Sequence, residues 1–448
     1  MLSNKEMGCL RLGVVLAGVA MATAGGAQAQ GLGNSPYSRK GLGEFNANTG
    51  GVRQMGMGGV GLAAPNAVNV NELNPALLYY TSRTTFEAGY NGQYKTVKNA
   101  NGSSRSGSGT LGYLALSVPL SSKWGAAVGL KPLSSVDYES NLLQNVQNDP
   151  NAQVLTQSKG EGGVSEAYFG QGVNIAKNLT LGFTASYIFG VVDETTGTTL
   201  RVTNSGTAPS QETAVDREHT RYSDFGFRAG AHYRHTIGKD LNVNLAGVYS
   251  FAHELNGTQT VTQERQDLAG AVTGAPTVVS DGRGRASVPA LAQVGISFDN
   301  NKNWSANFDA SQQQWSKFRS FGGQDEGATL SNTIRLGLGG EITPDPGSVE
   351  HYFQRVTYRA GLTFAQLPYQ PGGKTLYDRA VSWGFAFPLP TATPLEATTF
   401  SLAFIYGVRG NTDVLNATTG TSNVQESYIR GQLGVTLNNR WFIKRRLQ

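Results

Sequence analysis

Near the end of the chain, apolar and polar residues take turns almost without fault. Ile429, Gly431, Leu433, Val435 and Leu437 fall on one face, and Tyr428, Arg430, Gln432 and Thr436 on the other. Successive side chains point to opposite sides only in a β-strand, so a period of two predicts one. The same pattern recurs over Leu181 to Val191, Phe225 to Tyr233, Leu241 to Tyr249, Trp304 to Ala310, Val356 to Phe364 and Phe400 to Tyr406. Weaker alternation near 84–97, 108–120, 122–135, 162–175, 287–299, 330–342 and 376–388 brings the expected total to about fourteen strands, with boundaries loose by about 2–4 residues. A strand with one oily and one wet side suits a wall between lipid and a polar lumen. A soluble barrel would turn the same oily face into a core, and alternation alone does not separate the two.

Charge placement favours the membrane wall. Arg228, Arg335 and Arg359 each fall mid-strand on the polar side. On a lipid face each would cost about 2–4 kcal/mol at the bilayer midplane. Three such terms rival the roughly 5–15 kcal/mol that holds a whole domain together. The arginines are therefore expected to face inward, with the Phe, Leu and Val faces outward.

The first 29 residues read as a secretory signal. Lys5 and Arg11 supply positive charge, Leu12 to Ala22 a short apolar core, and Ala27-Gln28-Ala29 a small-x-small cleavage site, so a mature chain is expected to start at Gln30. Cys9, the single cysteine, lies inside this segment. A disulfide framework or thiolate metal site is thus excluded from the mature chain. No later run approaches the roughly 18 apolar residues of a spanning helix. The net charge of +5 comes from 36 basic and 31 acidic residues, with Lys444, Arg445 and Arg446 closing the chain. No nucleic-acid module accompanies that basic end.

Residues 30–82 differ in character from the remainder of the chain. They are rich in Gly and Asn and show no sustained alternation. Gly56-Met57-Gly58-Gly59-Val60-Gly61 permits close backbone packing. Met55, Met57, Leu62, Leu73, Leu77 and Leu78 are residues that seek burial. The stretch is expected to be a plug, or hatch, and residues 83–448 the barrel. Asn300 to Asn303 and Ser121 to Lys123 are turn-like. The polar stretches 136–161, 192–219, 254–286 and 407–424 are expected to be long loops on the opposite rim.

No catalytic constellation emerges. His232 and His235 fall on opposite faces of one strand and cannot share a metal. The glycine runs lack the Lys-Ser/Thr of a phosphate loop. No cofactor, metal or enzymatic activity is expected. Asp309 and Glu341 with Arg228, Arg335 and Arg359 form an expected inward charge set. It reads first as an ion-pair network anchoring the hatch, and second as a carboxylate headgroup site, since guanidinium suits carboxylate.

Three pieces of the chain resemble the FadL-type long-chain fatty-acid transporters of Gram-negative outer membranes. Asn74-Pro75-Ala76 looks like the motif of that family's hatch. Pro289 to Phe298, followed by Trp304 and by Trp315-Ser316-Lys317-Phe318, is similar to its middle strands. Tyr358-Arg359-Ala360-Gly361-Leu362-Thr363-Phe364 with Leu367-Pro368 looks like its Arg-x-Gly strand. The six residues after Trp441-Phe442, and the opening Ser35-Pro36-Tyr37-Ser38-Arg39, depart from the pattern and suggest a divergent branch. The resemblance implies an all-β, transmembrane, antiparallel up-and-down barrel of about fourteen strands with an N-terminal hatch. It implies an outer-membrane location amid lipid and lipopolysaccharide, a monomer, and passive uptake of hydrophobic molecules. Asn74, Pro75 and Ala76 would be the gating hinge, and Arg228, Arg335, Arg359 and Asp309 the candidate headgroup contacts. Some relatives serve protein secretion machinery, so a partner or shuttle role among envelope secretion proteins is the alternative.

Overall fold

A computed structural model describes residues 35, 37, 42–45 and 50–439, apart from 101, 147–148, 203–211, 268, 324–329, 392–396 and 417–420. The expected signal over 1–29 and the basic tail from Lys444 lie outside the described residues.

A two-residue strand, β1 (Glu44–Phe45), and a one-turn helix, α1 (Val52–Gly56), precede the wall, with a 3-10 turn at Pro75–Tyr80. The wall is β2 (Thr84–Lys98), β3 (Ser103–Ser121), β4 (Trp124–Val146), β5 (Asp149–Ala176), β6 (Leu179–Val202), β7 (Thr213–Ile237), β8 (Leu241–Ser250), β9 (His253–Gln266), β10 (Thr277–Val288), β11 (Leu291–Asp299), β12 (Trp304–Gln313), β13 (Thr333–Ile342), β14 (Thr357–Gln366), β15 (Tyr377–Leu389) and β16 (Ala397–Gly410). A small hairpin of β17 (Val414–Asn416) and β18 (Thr421–Ser422) leads to β19 (Gln425–Asn439). β8 with β9, and β10 with β11, are each one wall strand broken once. The wall is a closed antiparallel barrel of 14 strands, as expected. Closure comes from β19 pairing with β2, from Gln425 opposite Lys98 to Asn439 opposite Thr84.

The faces fall where alternation puts them. Ile429, Leu433 and Val435 are exposed on the outside, while Tyr428, Gln432 and Thr436 are buried within. Phe183, Tyr187, Phe225, Phe227 and Leu245 continue the outer apolar face. Arg228, Arg335 and Arg359 point inward and bond groups in the lumen.

The expectation of long loops over 136–161, 192–219 and 254–286 is overturned. Most of these residues are strand. β4 has 23 residues, β5 28, β6 24 and β7 25. A tilted strand crosses a bilayer in about 9–11 residues. The excess continues one ladder past the apolar band as a six-stranded sheet of β4, β5, β6, β7, β9 and β10. Water reaches both faces there, so both faces carry polar residues and the alternation vanishes from the sequence without the strand ending. Of the stretch 407–424, β16 takes the start and the small β17–β18 hairpin half of the described remainder.

The wall has two irregular places. β3 and β4 pair only from Leu114–Leu130 down to Ser121–Trp124, then part. Where they part, β4 carries an extra residue at Leu133, and β5 opposite uses Gly162 and Gly163 at φ of 106° and 143°. That bulge and those left-handed glycines bend the wall. β1 pairs with Ser134 and Ser135 of β4 at this bend. The second place lies between β7 and β9. β7 pairs with β8 up to Arg228 and with β9 from Tyr222 onward, which leaves Ser223–Gly226 without a ladder on that side. The Asp224 side chain takes over, accepting from the backbone and side-chain N–H groups of Asn256.

Candidate functional site

Residues 50–81 fill the lumen and bond to the wall on every side. Asp309 on β12 accepts from the Gly61 and Leu62 amides at 2.8 and 2.9 Å. Arg335 on β13 donates to the Gly58 carbonyl at 2.5 Å, and Thr363 on β14 donates to the same oxygen at 2.8 Å. Arg228 on β7 donates to the Glu72 carbonyl at 3.0 Å. Glu87 on β2 accepts from the Asn69 side chain and the Val70 amide. Each bond satisfies a polar group that the lumen would otherwise strand away from water.

The strongest anchor is an ion triad. Glu341 on β13 receives Arg53 of α1 at 2.6 Å and Arg359 of β14 at 3.0 Å. Two guanidinium groups sharing one carboxylate is a charge-assisted arrangement with a directional geometry. The wall makes room for this contact with glycine. A Cβ at Gly361 would stand 2.2 Å from the Met57 carbonyl carbon, and one at Gly339 2.1 Å from the Met57 oxygen. The hatch backbone rests directly on the backbone of β13 and β14.

Asn74, Pro75 and Ala76 lie against the rim of short turns. Asn74 accepts from the Ala76 amide at 3.0 Å and donates to the Leu62 carbonyl at 3.0 Å. Pro75 opens the 3-10 turn at the first position, where its missing N–H costs nothing. A Cβ at Gly182 of β6 would come within 2.2 Å of the Ala76 nitrogen. The motif is one of the places at which this segment is held against the wall. The four candidate lumen residues are thus not gathered in one pocket. Arg228 bonds the hatch at Glu72, Arg335 and Asp309 hold Gly58 to Leu62 from neighbouring strands, and Arg359 acts through Glu341, which in turn holds Arg53.

A second layer lies towards the loop rim. Ser35, Tyr37 and β1 are fixed by Arg409 of β16, which pairs with Glu44 at 2.6 Å and with Glu426 of β19. Burial alone would raise the Glu44 pKa, but the Arg409 charge and its hydrogen bonds outweigh it and hold the carboxyl at about 2. Leu42, Val136, Val164, Ile188, Tyr222, Leu255 and Phe318 form an apolar cluster, with Phe45, Trp315 and Tyr369 packed against it.

Two cavities adjoin this cluster. One of about 150 Å³ is lined by Tyr37, Leu42, Phe45, Trp315, Phe318, Leu330, Pro368 and Tyr369, with Glu44 and Arg409. The other, about 60 Å³, sits at the β7–β9 gap. Its walls include Glu166, Arg228 and Ile188 inside and Phe227 and Phe251 on the outer face. Phe45 and Gln313 line both. Outside the gap, Tyr187 contacts the rings of Phe189 and Phe225, Phe183 stacks on Phe227, and Tyr249 packs on Phe251.

Sequence reasoning missed Arg53, Glu72, Glu87, the Glu44–Arg409–Glu426 cluster and Phe45. Arg53 carried a signal: it is the one charge between Glu44 and Glu72 in a glycine-rich, burial-seeking stretch. Glu87 interrupts an apolar strand opening and should be read the same way. Phe45 carried none, because its place depends on a fold in the chain.

The family model described as BamG matches residues 12–448. Among solved structures, a FadL homologue of Pseudomonas aeruginosa superposes with a TM-score of 0.57 at 15% identity, covering 89% of this chain and 100% of its own. The toluene transporter TbuX of Ralstonia pickettii gives 0.54 at 17%, covering 88% and 100%. The monoaromatic hydrocarbon channel CymD gives 0.53 at 18%, covering 89% and 100%. At these identities the likeness establishes the fold. No curated protein matches the chain.

Proposed function

This chain belongs to the BamG family, and on that footing we propose that it is an outer-membrane channel taking up small hydrophobic molecules by binding and passive passage beside a hatch. The observation that carries the reading is the pair of cavities meeting at Phe45 and Gln313, one of them open to aromatic side chains on the lipid face. An apolar solute arriving from the outer leaflet or from water would exchange solvent for ring surface, at roughly 25 cal/mol per Å² buried. The structural neighbours that are toluene transporters and hydrocarbon channels support the same class of cargo.

The larger cavity favours a neutral, ring-sized solute over a fatty acid. About 150 Å³ is the size of an engineered apolar cavity that holds benzene. Among the described lining residues the one cation, Arg409, pairs with Glu44 and Glu426. Arg228 lines the smaller cavity, so it is the candidate that a carboxylate headgroup would meet first. Onward movement requires the hatch to shift, with the clamped Asn74-Pro75-Ala76 as its pivot.

The test is uptake of labelled toluene and labelled palmitate by a strain lacking the chain, complemented with wild type or Phe45→Trp. Wild type should speed toluene uptake several-fold, and Phe45→Trp should bring it back towards the deletion level by filling the junction. Equal rates with and without the chain would overturn the transport reading. Faster palmitate with unchanged toluene would overturn the neutral-solute part.

A further inference from the structure

Two neutral polar side chains line the cavities, and each has bonding capacity that the fold does not use. β12 turns Ser305, Asn307, Asp309, Ser311 and Gln313 inward, as its alternating burial shows. Asp309 holds the hatch, whereas Gln313, four residues on, lines both cavities. Gln313 is 8% exposed, and among the described residues its side-chain amide has no hydrogen-bond partner. That amide carries an acceptor oxygen and a donor NH2 group. A buried polar group in that state costs free energy, which a matching ligand recovers.

The second side chain is His253, which opens β9 and lines the smaller cavity. Its Nδ1 stands 3.2 Å from the Phe251 carbonyl oxygen. A carbonyl oxygen only accepts, so in the neutral ring Nδ1 carries the proton and Nε2 is left as an acceptor. Nε2 is buried and has no partner among the described residues. It lies over Gly226 of β7, where a Cβ would stand 3.6 Å away. The charged residues of the same cavity are already engaged. Glu166 accepts from Ser186, and Arg228 donates to Ser250 and to the Glu72 carbonyl.

We infer that Gln313 and His253 read a hydroxyl group on the cargo, which makes the preferred solute a neutral, ring-sized phenol or aromatic alcohol. The ring occupies the larger cavity among Phe45, Trp315 and Tyr369, and the hydroxyl reaches the smaller one past Gln313. One O–H serves both residues, since it donates to His253 Nε2 and accepts from the Gln313 amide NH2. Pockets of this kind take their affinity from apolar walls and their orientation from a few polar groups. Toluene fills the same ring space but leaves both groups unpaired. A carboxylate brings no proton for His253 and shares the space with Glu166. This inference rests on the uptake reading and names the cargo within it.

The experiment is equilibrium dialysis of labelled p-cresol, toluene and 4-methylanisole at pH 8 against proteoliposomes holding the full-length chain, with binding to protein-free liposomes subtracted. Wild type should bind p-cresol roughly tenfold or more tightly than toluene, the scale set by one buried hydrogen-bonding group. 4-Methylanisole, whose oxygen accepts but cannot donate, should bind like toluene. Gln313→Leu and His253→Phe should each lose most of the preference for p-cresol while toluene binds no more weakly, and both should keep the heat-modifiable gel migration of wild type. Should either variant fail to fold, the three solutes on wild type still decide. Toluene and p-cresol bound equally, 4-methylanisole bound as tightly as p-cresol, or a preference that survives in both variants would overturn this inference and leave the uptake reading standing. Binding of none of the three would overturn both.

Discussion

Glu341 shows how one carboxylate sets the hold on the hatch. It neutralises Arg53 from the hatch and Arg359 from the wall at once. Glu341→Gln leaves two buried guanidinium groups facing each other without a counter-charge, a loss of about 3–5 kcal/mol for breaking such a pair. The variant should show raised single-channel conductance and a lower urea midpoint for hatch release. A glycine makes the complementary case. Gly361→Val sets new atoms against the Met57 backbone, and overpacking of that kind costs about 1–3 kcal/mol. Proteolysis of the hatch should quicken, with the barrel itself intact. Glu44 gives a pH dependence. Its folded pKa of about 2 lies below the ordinary value of 4.5, so its contribution is complete above about pH 4.5 and fades as pH falls through 2. Hydrogen exchange of Glu44 and Phe45 should rise over that window, and Glu44→Gln should exchange at the faster rate at neutral pH already.

At the scale of elements, deleting residues 31–78 tests whether the hatch is a plug. A barrel of this size has a lumen too wide for wall side chains to fill alone. Conductance should therefore rise sharply, and a value unchanged from wild type would falsify the plug. The strands crossing the apolar band were legible because lipid and lumen impose opposite demands on alternate residues. Leu181 to Phe189 and Ile429 to Leu437 show this plainly. Arg228, Arg335 and Arg359 could be turned inward from energetics alone. The upper halves of β5, β6, β7, β9 and β10 were not legible, since a strand wetted on both faces leaves no period to read. The hatch was legible as a compact stretch, but its contacts were not. Asp309 meeting Gly61, or Phe45 meeting Gln313, joins residues more than two hundred positions apart, and no local pattern records such a meeting.

For the molecule as a whole, the oily outer band predicts behaviour in solution. Purified protein should require detergent or lipid to stay monodisperse. A preparation stable without either would contradict the assignment of the outer face. The same band bounds the function: below it the short turns and the clamped Asn74 to Ala76 close the lumen, and above it a polar sheet reaches outward.

The join between β2 and β19 has a bearing on how this protein is made. Asn69 of the hatch bonds to Glu87 on the first wall strand and to Thr436 on the last. The stopper therefore straddles the line along which the cylinder is sewn shut. Seating of the cork and sealing of the seam are thereby tied to one side chain, and Asn69→Ala should loosen both. A chain interrupted before its final strand lacks the partner that β2 needs for closure, and it should be cut by protease faster than wild type.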